Sequence, residues 1–395
     1  MTNKIYGPLP RNLIDFLSIH RYGVAIVLGM VCCHSGVSGK KSMRLLVSSP
    51  NRLFLIDSIS KVVGVVADDA PEYYGISWTP DGRELVTTHS CLDNASLLTL
   101  EHYLNSERGY LRVGSRRGVF GLSQPHQILC VGEFILVTNT GRNCLTIVRR
   151  EDLFFRHLWI DDIRWDRKSR TDACGRHLNS VFVRGDRLWV LAHNHNRGSH
   201  LLEFSWPGLE LLNTHPTAAH HAHNVWADQE GNILICDSTG PSLHEVRSAR
   251  IVWKPSIANV MTRGLACSGN RVFVGMSRFV SREGRANSDG GVWVLDRSTW
   301  QEIDFIPLPG AGNIHEIRIV DQPDECHHGI PLRVVPNIDP RATSDYHALT
   351  AKIVKPKLPS ERWTINFGTP TIAETSIAMN QADPLCLATF DGPTV

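Results

Sequence analysis

The chain has 395 residues, of which 42% are hydrophobic and 20% are charged. This is the composition of an ordinary globular protein, and it excludes a largely disordered chain. The formal net charge of +2 gives no electrostatic reason to expect nucleic acid or an anionic membrane surface as a partner.

Residues 1–41 lie outside the repeats that dominate the rest of the chain. Within them, Pro10–His20 is the only stretch with a persuasive helical period. The apolar run at 24–33 is similar to the hydrophobic part of a signal peptide, but it starts late and lacks a clear cleavage site. Its ten residues are also too few to cross a membrane. We interpret this run as an added strand or a buried packing segment and expect no membrane span.

The cysteines bear on the cellular compartment. Cys130, Cys236 and Cys267 lie inside apolar runs and show no metal-type spacing, as expected of reduced thiols in a core. This pattern favours the cytoplasm. A secreted or periplasmic location is the alternative if residues 1–39 are a signal segment.

From residue 44 to residue 321 the pattern is that of an all-β protein. Short apolar or alternating runs are separated by Gly, Asn, Asp and Pro, which is typical of strands joined by turns. Four such strands follow one another at 126–160, and the quartet recurs at 179–213, 223–257 and 263–306. Four tryptophans are expected to pack between the resulting sheets: Trp189, Trp226, Trp253 and Trp293.

Six short segments align with one another, and the apolar third residue of each sets the register. They are Tyr74-Gly75-Ile76-Ser77, His126-Gln127-Ile128-Leu129, Asn179-Ser180-Val181-Phe182, His223-Asn224-Val225-Trp226, Arg263-Gly264-Leu265-Ala266 and His315-Glu316-Ile317-Arg318. Their first positions are 52, 53, 44, 40 and 52 residues apart, close to the period of propeller blades. The repeat therefore predicts a six-bladed β-propeller.

The two ends of the repeat predict how the ring closes. The sixth inner strand, Ile314–Asp321, has no hairpin partner after it, whereas three unclaimed strands precede the first repeat, at Arg44–Ser48, Arg52–Asp57 and Val62–Ala67. One C-terminal strand and three N-terminal strands would complete a blade and remove the exposed edges. We predict an N-terminal extension at 1–41, the propeller at 42–322 and a C-terminal extension at 323–395 that packs on it. Seven blades, with the tail donating strands, is the alternative.

The first positions of the six segments form a column that should face the central channel. Three histidines from alternate blades, His126, His223 and His315, would then converge on the axis. Neutral imidazole is a good ligand for transition metals, and a three-histidine set leaves positions open for substrate. We predict a metal site here, with iron or copper favoured and zinc as the alternative.

The remaining column residues suggest roles around such a metal. Arg263, Tyr74 and Asn179 are the predicted substrate-binding residues, because they could orient an anionic or polar molecule. Glu316 follows a column histidine and is expected to point away from the axis. Two positions before the column, a second polar layer is expected from Glu72, Gln124, His177, His221, Met261 and Asn313. Within it, His177, His221 and Glu72 are the predicted acid/base residues.

Other histidine clusters offer different interpretations. His193 and His195 end the second strand of the repeat at 179–213, so a site built from His177, His193 and His221 at the channel mouth is a variant. Cys326-His327-His328 lies in the irregular tail and is expected at the surface. Channel histidines can also simply bind ordered water, and a one-residue slip in the alignment would move a side chain to the other face.

Two phrases carry a resemblance to known families. The segments "HxHNVWxDxxGNILICD" at 221–237 and "LNSVFVRGDRLWVLAHN" at 178–194 resemble the six-bladed propellers of the gluconolactonase, strictosidine-synthase and streptogramin-lyase type. The resemblance covers about 280 residues and implies the fold. Those gluconolactonase-type sites are rich in carboxylates and hold calcium or zinc, whereas this column has no carboxylate. The axial histidines are similar to those of carotenoid oxygenases, which hold iron with four histidines on seven blades.

Three functional hypotheses follow. The first is a metal-dependent enzyme, an oxidoreductase or a lyase, that acts on a small polar substrate in the channel. The second is a metal-free lyase or condensing enzyme that uses a channel Glu or His. The third is a non-catalytic propeller that binds partners with its rim.

Overall fold

The structure, a computed structural model, describes residues 42–70, 72–90, 109–118, 122–164, 175–281 and 284–353. Over these ranges the chain forms six antiparallel sheets of four strands each, arranged as the blades of a ring. The prediction of a six-bladed β-propeller is confirmed, and a seventh blade is not supported. The predicted helix at Pro10–His20 and the apolar run at 24–33 lie outside the described residues.

Blade 1 closes the ring, and blades 2 and 3 follow it along the chain. Blade 1 contains β1 (Arg44–Ser48), β2 (Leu53–Asp57) and β3 (Val63–Ala67), with β24 (Glu316–Ile319) as its innermost strand. Blade 2 contains β4 (Tyr73–Trp78), β5 (Leu85–His89), β6 (Tyr110–Val113) and β7 (Arg116–Gly118). Blade 3 contains β8 (Pro125–Val131), β9 (Phe134–Asn139), β10 (Cys144–Arg149) and β11 (Phe155–Trp159).

The other three blades are each continuous in the chain. Blade 4 contains β12 (Leu178–Arg184), β13 (Arg187–Ala192), β14 (His200–Ser205) and β15 (Leu211–Pro216). Blade 5 contains β16 (Ala222–Ala227), β17 (Ile233–Asp237), β18 (Ser242–Glu245) and β19 (Arg250–Trp253). Blade 6 contains β20 (Val260–Ser268), β21 (Arg271–Arg278), β22 (Gly290–Asp296) and β23 (Glu302–Leu308). One-turn 3-10 helices lie at Thr140–Arg142, His195–Arg197 and Glu325–His327.

The ring closes by pairing the two ends of the repeat. Strand β24 runs antiparallel to β1, with Val47 opposite Ile317 and Leu45 opposite Ile319. Blade 1 therefore contains one C-terminal strand and three N-terminal strands, as predicted. Each inner strand packs on the inner strand of the next blade, so that β24, β4, β8, β12, β16 and β20 surround one central channel.

The core lies between neighbouring blades, where each sheet buries its apolar faces. All four tryptophans expected between sheets are buried, and Trp253 of blade 5 contacts Trp293 of blade 6 with ring centroids 5.1 Å apart. The cysteines among the described residues are buried free thiols: Cys130, Cys144, Cys236, Cys267 and Cys326. The apolar alternation of the sequence thus identified the residues that drive packing.

A helix that the sequence analysis did not predict covers the outer edge of blade 1. Helix α1 (Pro340–Ile353) lies against β3, whose backbone would otherwise be an unpaired edge. Val65 donates its N–H to Thr343 Oγ1 at 2.9 Å and accepts from the N–H of Asp339 at 2.8 Å. Asp339 also caps the helix, followed by proline at its first position. In the described ranges, no helix has both the length and the apolar character needed to cross a membrane.

The segment between β24 and α1 closes the end of the channel where the inner strands finish. His327 is buried and its Nε2 lies 2.6 Å from Ser77 Oγ and 3.2 Å from the N–H of Trp78, while its ring stacks on the Trp78 indole. Cys326 is buried as well. The expectation that Cys326-His327-His328 lies at the surface is therefore wrong for the first two residues. They are buried because this segment packs against the ends of the inner strands.

Candidate functional site

The six column residues form a ring close to where the inner strands begin. We call this set the column ring: Tyr74, His126, Asn179, His223, Arg263 and His315. Five of them are buried and Arg263 is half-buried. Contacts connect residues from different blades: Tyr74 of blade 2 contacts His126 and His315, and its hydroxyl lies 3.4 Å from Arg263 Nη1. The register of the sequence repeat therefore places these residues together.

A β-bulge accompanies the column in five of the six blades. The pairing of the inner strand with the next strand is interrupted between Tyr73 and Ile76, Pro125 and Ile128, Leu178 and Ser180, His223 and Val225, and Thr262 and Leu265. A bulge leaves a residue unpaired and turns its side chain away from the regular alternation. In these blades the column residue and its successor can therefore both face the channel, which a regular strand would not allow.

The expected second layer does not follow strand alternation. Four of its residues precede the inner strand and have positive φ: Glu72 at 44°, Gln124 at 49°, His177 at 51° and His221 at 52°. A positive φ is uncommon outside glycine and reverses the direction of the chain locally. These residues therefore lie in the connections that lead into the ring. Burial raises the pKa of Tyr74 and the charge of Glu72 raises it further, so Glu72 remains close to the site.

Backbone carbonyl groups fix the tautomers of the three column histidines. His126 Nδ1 lies 2.9 Å from the carbonyl oxygen of Gln124, and His223 Nδ1 lies 2.8 Å from that of His221. His315 Nδ1 lies 3.0 Å from the carbonyl oxygen of Tyr73. A carbonyl only accepts, so each Nδ1 carries the proton. Each Nε2 is then a lone pair, the state in which imidazole accepts a hydrogen bond or binds a metal.

The ring of Tyr74 separates two of the predicted metal ligands. Its centroid lies 4.0 Å from that of His126 and 4.1 Å from that of His315, with small interplanar angles of 35° and 16°. Two rings stacked so closely must occupy opposite faces of Tyr74, about 8 Å from each other. Imidazoles bound to one metal have centroids no more than roughly 6.5 Å apart, given a metal–nitrogen distance of about 2.1 Å. His126 and His315 as placed cannot share a metal ion.

Other histidines are closer together, around His193. The centroid of His193 is 4.6 Å from His177, 5.5 Å from His195, 4.4 Å from His221 and 5.5 Å from His223. His177 in turn contacts His126 at 5.1 Å. The structure therefore does bring together His177, His193 and His221, the variant site.

The nitrogens of this cluster do not converge on a common point. The N–H of His195 donates to His193 Nδ1 at 3.0 Å, and His221 contacts Thr239 and Asn196 through its two nitrogens. Across the described ranges, no three His, Cys, Asp or Glu side chains are arranged so that they could hold a metal ion. Neither the predicted site at His126, His223 and His315 nor its variant is arranged as a metal centre.

The electrostatics of the column ring combine neutral imidazoles with one guanidinium. Burial lowers the pKa of His126 and His223 well below its usual value, and that of His315 to about 3. The positive charge of Arg263 lowers the pKa of all three further. Burial raises the pKa of Tyr74 to about 12. At neutral pH the three imidazoles and the phenol are uncharged, and Arg263 is the one charged residue of the column ring.

Beneath the column ring, a polar network crosses the channel. We call it the channel plug: Gln127, Ser180, Asn224, Glu316 and Arg318. Glu316 accepts hydrogen bonds from Gln127 Nε2, from Asn224 Nδ2 at 3.2 Å and from Arg318 Nη1 at 3.0 Å. The expectation that Glu316 points away from the axis is therefore wrong. The channel plug therefore fills the channel directly beneath the column ring.

The channel plug joins all six blades. Ser180 donates its hydroxyl to Gln127 Oε1, which connects blades 4 and 3. In blade 6, Gly264 donates its N–H to Asn224 Oδ1 of blade 5 at 2.7 Å. Arg318 of blade 1 donates to the carbonyl oxygens of Ile76 in blade 2 and Leu265 in blade 6, both at 3.2 Å. Burial raises the pKa of Glu316 to about 7, against the opposing effect of Arg318.

The sequence carries a signal for the channel plug that strand alternation alone does not reveal. The residue after each column position is small or polar in every segment, although the residue after that is always apolar: Gly75, Gln127, Ser180, Asn224, Gly264 and Glu316. A residue facing a hydrophobic sheet interface would instead be apolar. The consistent absence of apolar side chains at this position indicates that it faces the channel.

No family model and no curated protein matches the chain. Solved structures do resemble it. A chain of a nidogen/laminin complex is 12% identical, with 70% of this chain and 98% of that chain covered and a TM-score of 0.46. A protein of unknown function from Bacteroides caccae is 13% identical over 70% and 98%, with a TM-score of 0.48. The dihydro-heme d1 dehydrogenase NirN in complex with DHE is 12% identical over 67% and 53%, with a TM-score of 0.38. The fold assignment rests on the strand pairing described above.

Proposed function

We propose that this propeller is an acid/base enzyme that binds an anionic small molecule at the column ring. In this proposal Arg263 binds the anionic group, and His223 Nε2 accepts a proton from a hydroxyl or a carbon of the bound molecule. The observation that carries the proposal is the position of one guanidinium beside three neutral imidazoles whose Nδ1 atoms are held by backbone carbonyls.

Charge favours an anion over a cation in this ring. The column ring itself contains no carboxylate. Of the two carboxylates close to it, Glu316 is paired with Arg318 at 3.0 Å and Glu72 acts on Tyr74, while Arg285 adds a second positive charge near the ring. Arg263 Nε is buried without a hydrogen-bond partner, and its Nη1 makes only a long contact with Tyr74. A carboxylate bound there would satisfy the guanidinium with charge-assisted hydrogen bonds, which are stronger than neutral ones.

His223 is the best placed of the histidines to act as a base. Its Nδ1 is held by the carbonyl oxygen of His221 and by Ser238 Oγ at 2.9 Å, so the ring has a fixed orientation. Its Nε2 is buried and has no hydrogen-bond partner. In the free protein, Arg263 lowers the pKa of His223. An anion that neutralises Arg263 removes part of this effect, so the proton affinity of His223 rises when substrate is bound.

A metal-dependent reaction is the second candidate. It is favoured by the hydrogen bonds from Nδ1 to carbonyls, which are the usual support of metal-binding histidines. Imidazole nitrogens would suit iron, copper or zinc. The arrangement fits such an ion poorly, because Tyr74 separates His126 from His315 and the charge of Arg263 repels a cation. No step of the proposed reaction depends on a metal.

Calorimetry on the full chain with succinate tests the anion site. We expect Arg263→Gln to weaken succinate binding at least tenfold, whereas Arg187→Gln, which removes a half-buried guanidinium paired with Asp186 and Glu203, leaves it unchanged. Incubation of a panel of carboxylic acids in D2O, followed by proton NMR, detects both deuterium exchange and conversion. His223→Gln should bind succinate within threefold of the wild type and lose both signals.

Either of two results from these binding and activity measurements would overturn this proposal. One is succinate binding that Arg263→Gln leaves unchanged. The other is conversion or exchange that persists in His223→Gln. Elemental analysis of the tag-free protein accompanies the test. One equivalent of iron, copper or zinc that is lost in His126→Ala, His223→Ala and His315→Ala would replace the acid/base enzyme with the metal-dependent one.

A further inference from the structure

We infer that the molecule bound at the column ring is a small hydroxylated carboxylate, with its carboxylate on Arg263 and two hydroxyl groups on His223 Nε2 and Asn179 Oδ1. This inference rests on the proposed function and adds the class of substrate to it. Three buried polar atoms without a hydrogen-bond partner carry the argument: Arg263 Nε, His223 Nε2 and Asn179 Oδ1.

Such atoms are rare in folded proteins, and each costs about 1–3 kcal/mol when left unsatisfied. These three belong to one structural feature, since they come from column positions on the consecutive blades 4, 5 and 6. Unsatisfied atoms that gather in one place mark a site where a ligand, in place of water, can complete their hydrogen bonds. Around the ring, the order is a hydrogen-bond acceptor on Asn179, a second acceptor on His223 and a cationic donor on Arg263. A matching ligand must therefore present two donors followed by an anionic group, in the same order.

The neighbouring contacts fix the identity of each free atom. Asn179 donates from Nδ2 to the carbonyl oxygen of Ala222 at 2.8 Å. A flipped amide would place two oxygens against each other, so Oδ1 is the free end and can only accept. The same bond holds Asn179 beside the residue that precedes His223 in β16. The two acceptors are therefore neighbours across the gap between blades 4 and 5.

The donors that meet these acceptors are neutral. An ammonium group is disfavoured, because the column ring itself contains no carboxylate and the positive charges of both Arg263 and Arg285 reach it. Hydroxyl groups donate without charge and suit both the imidazole lone pair and the amide oxygen. A carboxylate with hydroxyl groups on the next two carbons has this order of groups.

A series of three-carbon probes tests the inference by calorimetry on the full chain. Propionate, lactate and glycerate carry a carboxylate with zero, one and two hydroxyl groups, and glycerol carries hydroxyls without a carboxylate. We expect affinity to rise from propionate to lactate to glycerate, by about two- to tenfold for each hydrogen bond gained, and glycerol not to bind. Serine, with an ammonium in place of the first hydroxyl, should bind more weakly than glycerate.

Substitutions at Asn179 and Arg263 distinguish a failure of this inference from a failure of the proposed function. Asn179→Leu, and Asn179→Ser as a smaller change, should abolish the gain from lactate to glycerate while propionate binds as before; thermal unfolding checks that both variants fold. Equal binding of propionate and glycerate would overturn the inference and leave the anion site intact. Failure of every carboxylate to bind, or binding indifferent to Arg263→Gln, would overturn the proposed function itself.

Discussion

The phenol ring of Tyr74 lies between the imidazoles of His126 and His315, with centroid distances of 4.0 and 4.1 Å. This relationship decides the chemistry of the column ring. Without Tyr74, two of three channel histidines could approach one another as a metal site requires. With it, they remain separate hydrogen-bonding groups whose protonation is controlled by burial and by Arg263.

The packing role of Tyr74 predicts a difference between two substitutions. Tyr74→Ala removes the ring from a buried position between two imidazoles and should lower the free energy of unfolding by about 3–5 kcal/mol, as for other buried aromatic residues. Tyr74→Phe keeps the ring and loses only the 3.4 Å contact with Arg263, so we expect a loss below about 1.5 kcal/mol. Urea denaturation measures both. Equal losses would show that the hydroxyl, and not the stacked ring, is the important part.

The buried histidines predict sensitivity to acid. His193 is buried, and burial lowers its pKa well below the usual value, with further lowering by His177. Because the unfolded chain takes up a proton near pH 6.5 and the folded protein does not, stability is present above pH 6.5 and is lost as pH falls. Each such histidine contributes a slope of about 1.4 kcal/mol per pH unit.

His193→Gln removes one of these groups. We expect the wild type to lose about 1 kcal/mol more unfolding free energy than the variant between pH 6 and pH 5, measured by urea denaturation at both values. Asn213→Gln, at an exposed position without a titratable side chain, provides a control, since it should leave the pH dependence as it is in the wild type. Identical slopes for wild type and His193→Gln would contradict the neutral state assigned to His193.

Glu316 predicts the opposite pH dependence. Burial raises its pKa to about 7 in the folded protein, above the value of about 4.3 in an unfolded chain. The protonated form is therefore favoured by folding, and the stability that it contributes is present below pH 4.3 and is lost as pH rises through 7. Glu316→Gln cannot titrate. The destabilisation caused by this substitution should therefore be larger at pH 5 than at pH 8, by an amount on the order of 2–3 kcal/mol.

Unfolding free energies of wild type and Glu316→Gln at the two pH values test this. Both proteins share all other titrating groups, so their difference isolates Glu316. A destabilisation that is independent of pH would mean that Glu316 is ionised throughout this range, held so by Arg318 at 3.0 Å.

The contact between Thr343 and Val65 predicts how α1 stabilises the closing blade. Thr343 Oγ1 accepts the N–H of Val65 on the outer strand of blade 1 at 2.9 Å. Thr343→Val preserves the shape and leaves this N–H unsatisfied, which should cost about 1–2 kcal/mol. Ser344→Ala is the matched control, because its hydroxyl bonds only to the carbonyl of Pro340 within the exposed helix. Hydrogen exchange of the Val65 amide should accelerate in the first variant alone; protection equal to that of the wild type would contradict the role of α1 as an edge cover.

The architecture followed from the sequence because its physical causes are repetitive. Apolar alternation, turn residues and a period near 50 residues specify four-stranded blades, and the need to remove exposed edges specifies closure by β24 on β1. The same register also predicted which six residues form the column ring. Helix α1 was not predicted. Asp339 and Pro340 are a local signal for the start of a helix, but the helix is held by the edge of β3, which is distant in the sequence.

The direction of the channel side chains was decided only by the tertiary structure. A regular strand alternates, so the sequence alone placed Glu316 away from the axis. The bulges at the column let neighbouring residues from other blades face the channel, and Gln127 and Asn224 meet Glu316 there. His126 and His315 are a second example. The register of the sequence predicts that they lie at the same level of the channel, and in the structure Tyr74, from the blade between theirs, keeps them apart. Strand register sets which residues share a level, but backbone irregularity and packing between blades set which atoms meet.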